Sequence, residues 1–455
     1  MKKLDKRAYM CLALAAFLFL GVCFYIGKVL VYGSVWVSYP ANQHIYTDGK
    51  ISTGSVYDVN GQLLMKNTAS GTPEYNEDVT IRKAMLHSTG DKAGNIITGA
   101  NKAFAGKLVG YNILTGTYSA KKEGRQLYLT LDSKVCAAAY KALNGRSGTV
   151  GVYNYQTGEI VCMVSSPTYD PANPPKLSAA DTSGVYLNRF TSVSVVPGSI
   201  FKLVTAAAAI EEIPDLANWT YTCTGELPLG TAATDRVTCP KAHGEVNFEK
   251  ALAVSCNCGF ANLSLILGNE SIQKYTEKAG LTSSYSINGI QTAKGSFEYP
   301  DNQVNLAWTG IGQNKDLVNP CSMMVYMGAI ANGGKAAVPR LIESVKFSNG
   351  IPAGLFFSRK TNVLIETATA TKLESMMHNN VVETYGENNF PGLDLCAKSG
   401  TAEVGGGKAP NSWFTGFIRN EGAPYAFIVL VENGGSGSDV AGRIANTVLQ
   451  EIVKK

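Results

Sequence analysis

Twenty consecutive residues, AYMCLALAAFLFLGVCFYIG over 8–27, carry no charge. As a helix they span about 30 Å, the thickness of a bilayer's hydrocarbon core, and so predict a transmembrane segment. Beyond it the periodicity shortens. GSVYDVNGQLLMKN alternates apolar and polar positions around an Asn-Gly pair, which predicts two short strands and a tight turn. LYLTLDSKVCAAAYKAL predicts a strand and then a helix starting near Asp132, and GTVGVYNYQTGEIVCMVSSP a hairpin turning at Thr157-Gly158. Near the other end LDLCAKSGTAE, NSWFTGFI and APYAFIVLVEN predict three more strands. Val440, Ile444, Val448 and Ile452 then recur at helical spacing. The middle, about 176–390, reads as helices with long loops. The expected class is α+β, one sheet assembled from distant pieces of chain and flanked by helices.

A chain of 455 residues has room for two or three domains, and with 16% charged and 45% hydrophobic residues it is an ordinary globular composition. Of the net charge of +5, Lys2, Lys3, Lys6 and Arg7 against Asp5 supply +3. The nearly neutral remainder argues against a nucleic-acid partner. The same basic cluster, placed before the apolar run, predicts a cytoplasmic N-terminus with everything after about residue 30 outside. A cleavable signal peptide is the rival reading, but the run exceeds the usual h-region and no small-x-small site follows it. Ten cysteines show no repeated framework: Cys11 and Cys23 fall in the span, and Cys162 and Cys396 in strand-like runs where buried thiols are expected. Cys223 and Cys239 flank an aperiodic Gly/Pro/Thr-rich loop and are the expected disulfide, worth about 3 kcal/mol. His44, His87, His243 and His378 stand far apart without ligand spacing, so no metal is expected, and no cofactor.

The candidate chemistry centres on PGSIFKLVTAAAAIE. In a helix Ser199 and Lys202 share a face, so a dry, neutral amine can lie beside a hydroxyl and take its proton. Two other Ser-x-x-Lys tetrads, Ser119–Lys122 and Ser271–Lys274, lack the preceding Pro-Gly and the alanine-rich helix. Downstream, SCN (Ser255–Asn257) pairs a hydroxyl with an amide, and KSGT (Lys398–Thr401) lies in a strand where Gly400 lets another backbone come close.

The ordered set PGSxxK, SxN, KSGT, with the TGEI hairpin before it and WFTGF after it, resembles the penicillin-binding transpeptidases and serine β-lactamases. GSVYDVNGQLL, TLDSKVCAAAYKAL, SSPTYDPANPP and IGQNKDLVNPCSMMVYMGAIANGGKAAVPRLI are similar to stretches of class B penicillin-binding proteins. Thr53 and Val59 depart from that family's usual arginines, which bears on the packing of the membrane-proximal module. The resemblance implies a cytoplasmic tail (1–7), an anchor (8–27), a small, mainly β membrane-proximal module (33–125), and a transpeptidase domain (126–455) with a five-stranded antiparallel sheet flanked by helices. It implies Ser199 as nucleophile on the penultimate D-alanine carbonyl of a peptidoglycan stem peptide, and Lys202 as its base. Ser255 would pass a proton to the departing D-alanine, and Lys398 would hold that network. Asn257 would bind the peptide amide and orient Lys202, Ser399 and Thr401 would receive the substrate carboxylate, and the N–H groups of Ser199 and Thr401 would hold the oxyanion. β-Lactams would acylate the same serine, and a SEDS-type glycan polymerase would be the membrane partner, since the membrane-proximal segment is too short for a glycosyltransferase domain. A β-lactamase or penicillin sensor is the alternative, weakened by the missing Glu-x-x-Leu-Asn pentad and by Ser-Cys-Asn where class D hydrolases have Ser-x-Val. A scaffold with a vestigial site is the other, weakened because every catalytic position holds a reactive residue type.

Overall fold

A computed structural model describes residues 2–37, 53–68, 73–110, 123–178, 180–354, 356–420 and 422–454. One helix, Lys2–Val37, contains the charge-free run, and its apolar side chains from Leu4 to Ile26 are exposed. It is long and apolar enough to cross a membrane.

The predicted strands near residue 54 are Thr53–Tyr57 and Leu63–Asn67. Their turn is built by Asp58, whose Oδ1 accepts from the backbone N–H groups of Asn60 (2.9 Å) and Gln62 (2.8 Å), while Gly61 takes a φ of +80°. Oδ2 of Asp58 accepts from the Ser133 hydroxyl at 2.6 Å, so the turn is tied to the helix Ser133–Leu143, which Asp132 caps. Thr53 opens the first strand, and Val59 is exposed. The sheet is not confined to the N-terminal region. In the order 352–354, 342–346, 123–129, 53–57, 63–67, 73–75, it recruits a hairpin from far downstream. Arg82 and Asp170 join the two regions through a two-pronged ion pair at 2.7 and 2.8 Å.

The second sheet is five-stranded and antiparallel throughout, ordered 395–402, 411–418, 425–431, 148–154, 160–166. Strands from both ends of the chain thus meet as expected. All eight residues of Asn411–Ile418 are buried because both faces are covered. Helix Pro320–Ala331 packs on one, and helices Ser133–Leu143 and Arg443–Val453 pack together over the other. Trp413 Nε1 donates to the Val196 carbonyl at 3.0 Å, which anchors the sheet to the segment leading into Ser199. Strand Leu395–Ala402 is the sheet's edge, and the cleft along it is walled on the other side by the 238–243 segment, Ser255, the start of the helix at Asn257, and Trp308.

Candidate active site

The Ser199 stretch forms a 3-10 turn, Gly198–Ile200, continuing into the helix Lys202–Glu212, whose four alanines Ala206–Ala209 are buried. Gly198 has a φ of +58°, and a Cβ there would meet the Thr401 carbonyl oxygen at 2.8 Å. From the other side, a Cβ on Gly400 would lie 3.0 Å from the Pro197 carbonyl oxygen. Two glycines therefore bring the helix start and the edge strand into backbone contact, as the spacing of KSGT leads one to expect.

Lys202 is completely buried, and its three donors are all engaged: Ser255 O at 2.7 Å, Asn257 Oδ1 at 2.7 Å and Ser255 Oγ at 3.1 Å. None of them reaches Ser199. Lys398, equally buried, donates to the same Ser255 Oγ at 2.9 Å and to the Ser399 carbonyl at 2.9 Å. Two amines thus occupy both lone pairs of one hydroxyl, so the Ser255 proton is directed away from them, toward the cleft that Ser255 lines. Burial lowers the pKa of Lys202 from 10.5 to about 8, partly offset by negative charge on the neighbouring sulfurs of Cys256, Cys239 and Cys258. Lys398 is pushed well below 10.5 by burial and then by the charge of Lys202. Ser255 itself has a φ of +53°, a left-handed conformation that costs a non-glycine residue about 1–3 kcal/mol.

The edge strand supplies the rest. Ser399 N–H donates to the Tyr385 hydroxyl at 2.8 Å and so lies outside the sheet's ladder. Thr401, two residues on, presents its N–H to the same open side, beside the start of the Ser199 turn. The Tyr385 hydroxyl in turn donates to Ser399 Oγ at 3.0 Å, and Asn380 Nδ2 fastens the strand at the Ala397 carbonyl, 3.0 Å away. Ser199, Ser255, Asn257, Ser399 and Thr401 all line one cleft of about 530 Å³, with Lys202 and Lys398 beneath Ser255. One Asn257 amide hydrogen is committed to the Thr238 carbonyl at 2.8 Å, which leaves one for a ligand. Tyr385, on a π-helical turn 14 residues before Ser399, belongs to no motif and is not legible in the sequence.

The decoy Ser271–Lys274 faces outward, with both side chains spent on Glu212, Lys274 at 2.7 Å. Ser119–Lys122 lies outside the described residues. The expected Cys223–Cys239 bridge is not formed: both are free thiols, and their sulfurs meet as two of a group of four donor atoms with His243 and Cys256. Cys223 Sγ lies 3.5 Å from His243 Nδ1, and Cys239 Sγ lies 3.8 Å from Cys256 Sγ. Cys162 and Cys396 are free and buried, as expected of strand interiors.

A glycine-tightened turn carrying a serine, two buried lysines on a second serine, and an edge strand with open N–H groups define a serine acyl-transfer site. The family model described as the penicillin binding protein transpeptidase domain matches residues 148–450. The chain belongs to that family, as a class B D,D-transpeptidase. It is 25% identical over 455 residues to the peptidoglycan D,D-transpeptidase PbpA of Mycobacterium tuberculosis, covering 91% of this chain and 92% of the relative. Stage V sporulation protein D of Bacillus subtilis is 28% identical over 74% of this chain and 54% of its own. In fold, the chain is similar to PBPA from M. tuberculosis (TM-score 0.78, 22% identity, 88% of this chain and 99% of that one). It is also similar to the D,D-transpeptidase domain of a peptidoglycan glycosyltransferase from Eggerthella lenta (TM-score 0.74, 24% identity, 89% and 99%).

Proposed function

We propose that the chain cross-links peptidoglycan through an acyl-enzyme on Ser199. Lys202, once deprotonated, keeps two of its three hydrogen bonds and turns the freed lone pair to the Ser199 proton as Oγ attacks the penultimate D-alanine carbonyl carbon of a stem peptide. The oxyanion is held by the N–H groups of Ser199 and Thr401. Collapse breaks the peptide bond, and the departing D-alanine nitrogen takes its proton from Ser255, which Lys202 replenishes with the proton it took from Ser199 while Lys398 holds the Ser255 oxygen. An acceptor amine then attacks the ester, forming the cross-link and returning the proton to Ser199. Ser399 and Thr401 bind the terminal carboxylate, and the free Asn257 amide hydrogen the peptide. What carries this reading is the doubly engaged Ser255 oxygen, which leaves that hydroxyl a donor toward the cleft. PBPA from M. tuberculosis forms acyl-enzymes with penicillin G and imipenem, and β-lactams are expected to acylate Ser199 here. Residues 8–27 serve as the anchor, with 1–7 in the cytoplasm. The module (33–125) and the transpeptidase domain (126–455) stand outside, where the helix and the module contact a SEDS-type polymerase.

Since the amine works as base only when neutral, and its neutral fraction grows as pH rises through about 8, acylation should follow that titration. Below it the second-order rate with penicillin should rise about tenfold per pH unit, and above it level off. A stopped-flow profile from about pH 6 to 10 checks this; a rate independent of pH across that range removes Lys202 as the base. A Gly198→Ala chain forces an L-residue into a left-handed conformation costing about 1–2 kcal/mol and presses a methyl on the Thr401 carbonyl. Acylation should fall at least about tenfold with a lower melting temperature; parental values for both would sink the close-approach argument.

A further inference from the structure

Residues 220–247 form two short hairpins beside the cleft, pairing 220–223 with 244–247 and 226–228 with 236–238. Only Cys223, Val237 and Val246 are buried along this excursion, too little apolar area to fix short strands by burial alone. It nevertheless forms a wall of the active-site cleft through Thr238, Cys239 and His243. Four potential ligands converge where it meets the SCN turn. Cys223 Sγ, Cys239 Sγ, His243 Nδ1 or Nε2, and Cys256 Sγ all lie within 4.8 Å of one another.

We propose that Cys223, Cys239, His243 and Cys256 bind one tetrahedral thiophilic divalent cation, zinc by its chemistry, which staples the excursion to the Ser255–Asn257 turn. Zinc with Zn–S bonds of about 2.3 Å and a Zn–N bond of about 2.05 Å needs tetrahedral edges of about 3.8 Å between sulfurs and about 3.5 Å between sulfur and nitrogen. The Cys239–Cys256 sulfurs are 3.8 Å apart, and Cys223 Sγ is 3.5 Å from His243 Nδ1. Four protein ligands fill the shell, so the site is closed and structural rather than hydrolytic. Binding releases the thiol protons to solvent and leaves three thiolates and a neutral imidazole around the ion, a net charge of −1. Donors to receive that charge are in place. The N–H groups of Asn257 (3.1 Å) and Cys258 (3.3 Å) point at Cys239 Sγ, and that of Gly259 (3.3 Å) at Cys256 Sγ, all from the first turn of the helix Asn257–Lys278. Cys256 stands between Ser255 and Asn257, so the ion also pins the strained turn. Histidine spacing alone gives no sign of this site, because three of its four ligands are cysteines from separate segments.

The ion itself does not depend on the transpeptidase reading, and its test does not use activity. The full-length chain, purified in detergent with reductant and without a metal-affinity tag, is expected to carry about one zinc per chain by elemental analysis. Exchange with cobalt(II) should give the intense visible bands of a tetrahedral cobalt thiolate. Cys223→Ser and His243→Gln should each weaken binding by more than the about 10- to 100-fold that loss of an outer-shell partner costs. Should the cysteine variant fail to accumulate, the half-buried His243 carries the comparison. Chelation should open the excursion to trypsin at Arg236 and Lys241, and zinc should close it again. A metal-free chain with all three thiols open to alkylation would overturn the site, as would a disulfide between any two of these cysteines in a non-reduced digest of chain purified without reductant. Zinc content unchanged by both substitutions would overturn the ligand set, and equal trypsin resistance after chelation would overturn the staple.

Discussion

A Ser199→Ala chain is expected to take up no covalent penicillin and to melt at the parental temperature. The two halves of that result have separate causes. Ser199 is only partly buried and lines the cleft, so losing its oxygen leaves no buried partner stranded, and the stability change should stay within about 0.5 kcal/mol. Without that oxygen, however, no other serine in the cleft combines a helix start with open backbone donors. Ser255 is saturated by two lysines, and Ser399 is held by Tyr385. Intact-mass measurement after incubation with penicillin G decides it. An adduct of penicilloyl mass on this variant would move the nucleophile elsewhere.

Lys202→Ala should cut the acylation rate by about 10³-fold, within the range a positioned proton acceptor contributes. Its three hydrogen bonds, each worth about 1 kcal/mol, are lost, but so is the cost of burying an amine, and the fold should persist by circular dichroism. A Lys202→Arg chain separates the two duties. Guanidinium can still donate to Ser255 and Asn257 yet stays protonated, so it should not restore the rate. Labelling of either variant within about threefold of the parent would remove Lys202 as base.

Much of this site is legible in the sequence because its parts are local. Pro197-Gly198-Ser199, Ser-Cys-Asn and Lys-Ser-Gly-Thr each sit on one turn or strand, and the alternation of 148–166 and 395–431 predicts strands that do form one sheet. Alternation fixes which face a side chain takes, not which sheet a strand joins. Hence the place of the 342–354 hairpin, which completes the N-terminal sheet, is not legible in the sequence. Side-chain destinations are equally hidden. Helical spacing puts Lys202 beside Ser199, but the amine's donors go to residues 53 and 55 positions away. The Tyr385 hydroxyl and the cluster of Cys223, Cys239, His243 and Cys256 arise from chain returns of irregular length, which no spacing rule encodes.

Acylation alone is common to transfer and hydrolysis, and only the fate of the ester tells them apart. The full-length chain should be acylated with penicillin G, freed of excess drug and followed by intact mass, with a tryptic digest to place the adduct. The expected result is a penicilloyl group on the Phe190–Lys202 peptide, at Ser199, persisting for many minutes, because no Glu-x-x-Leu-Asn carboxylate is present to activate water at the ester. An adduct shed within seconds with turnover of the drug, or one mapped outside that peptide, would contradict a transpeptidase acting through Ser199.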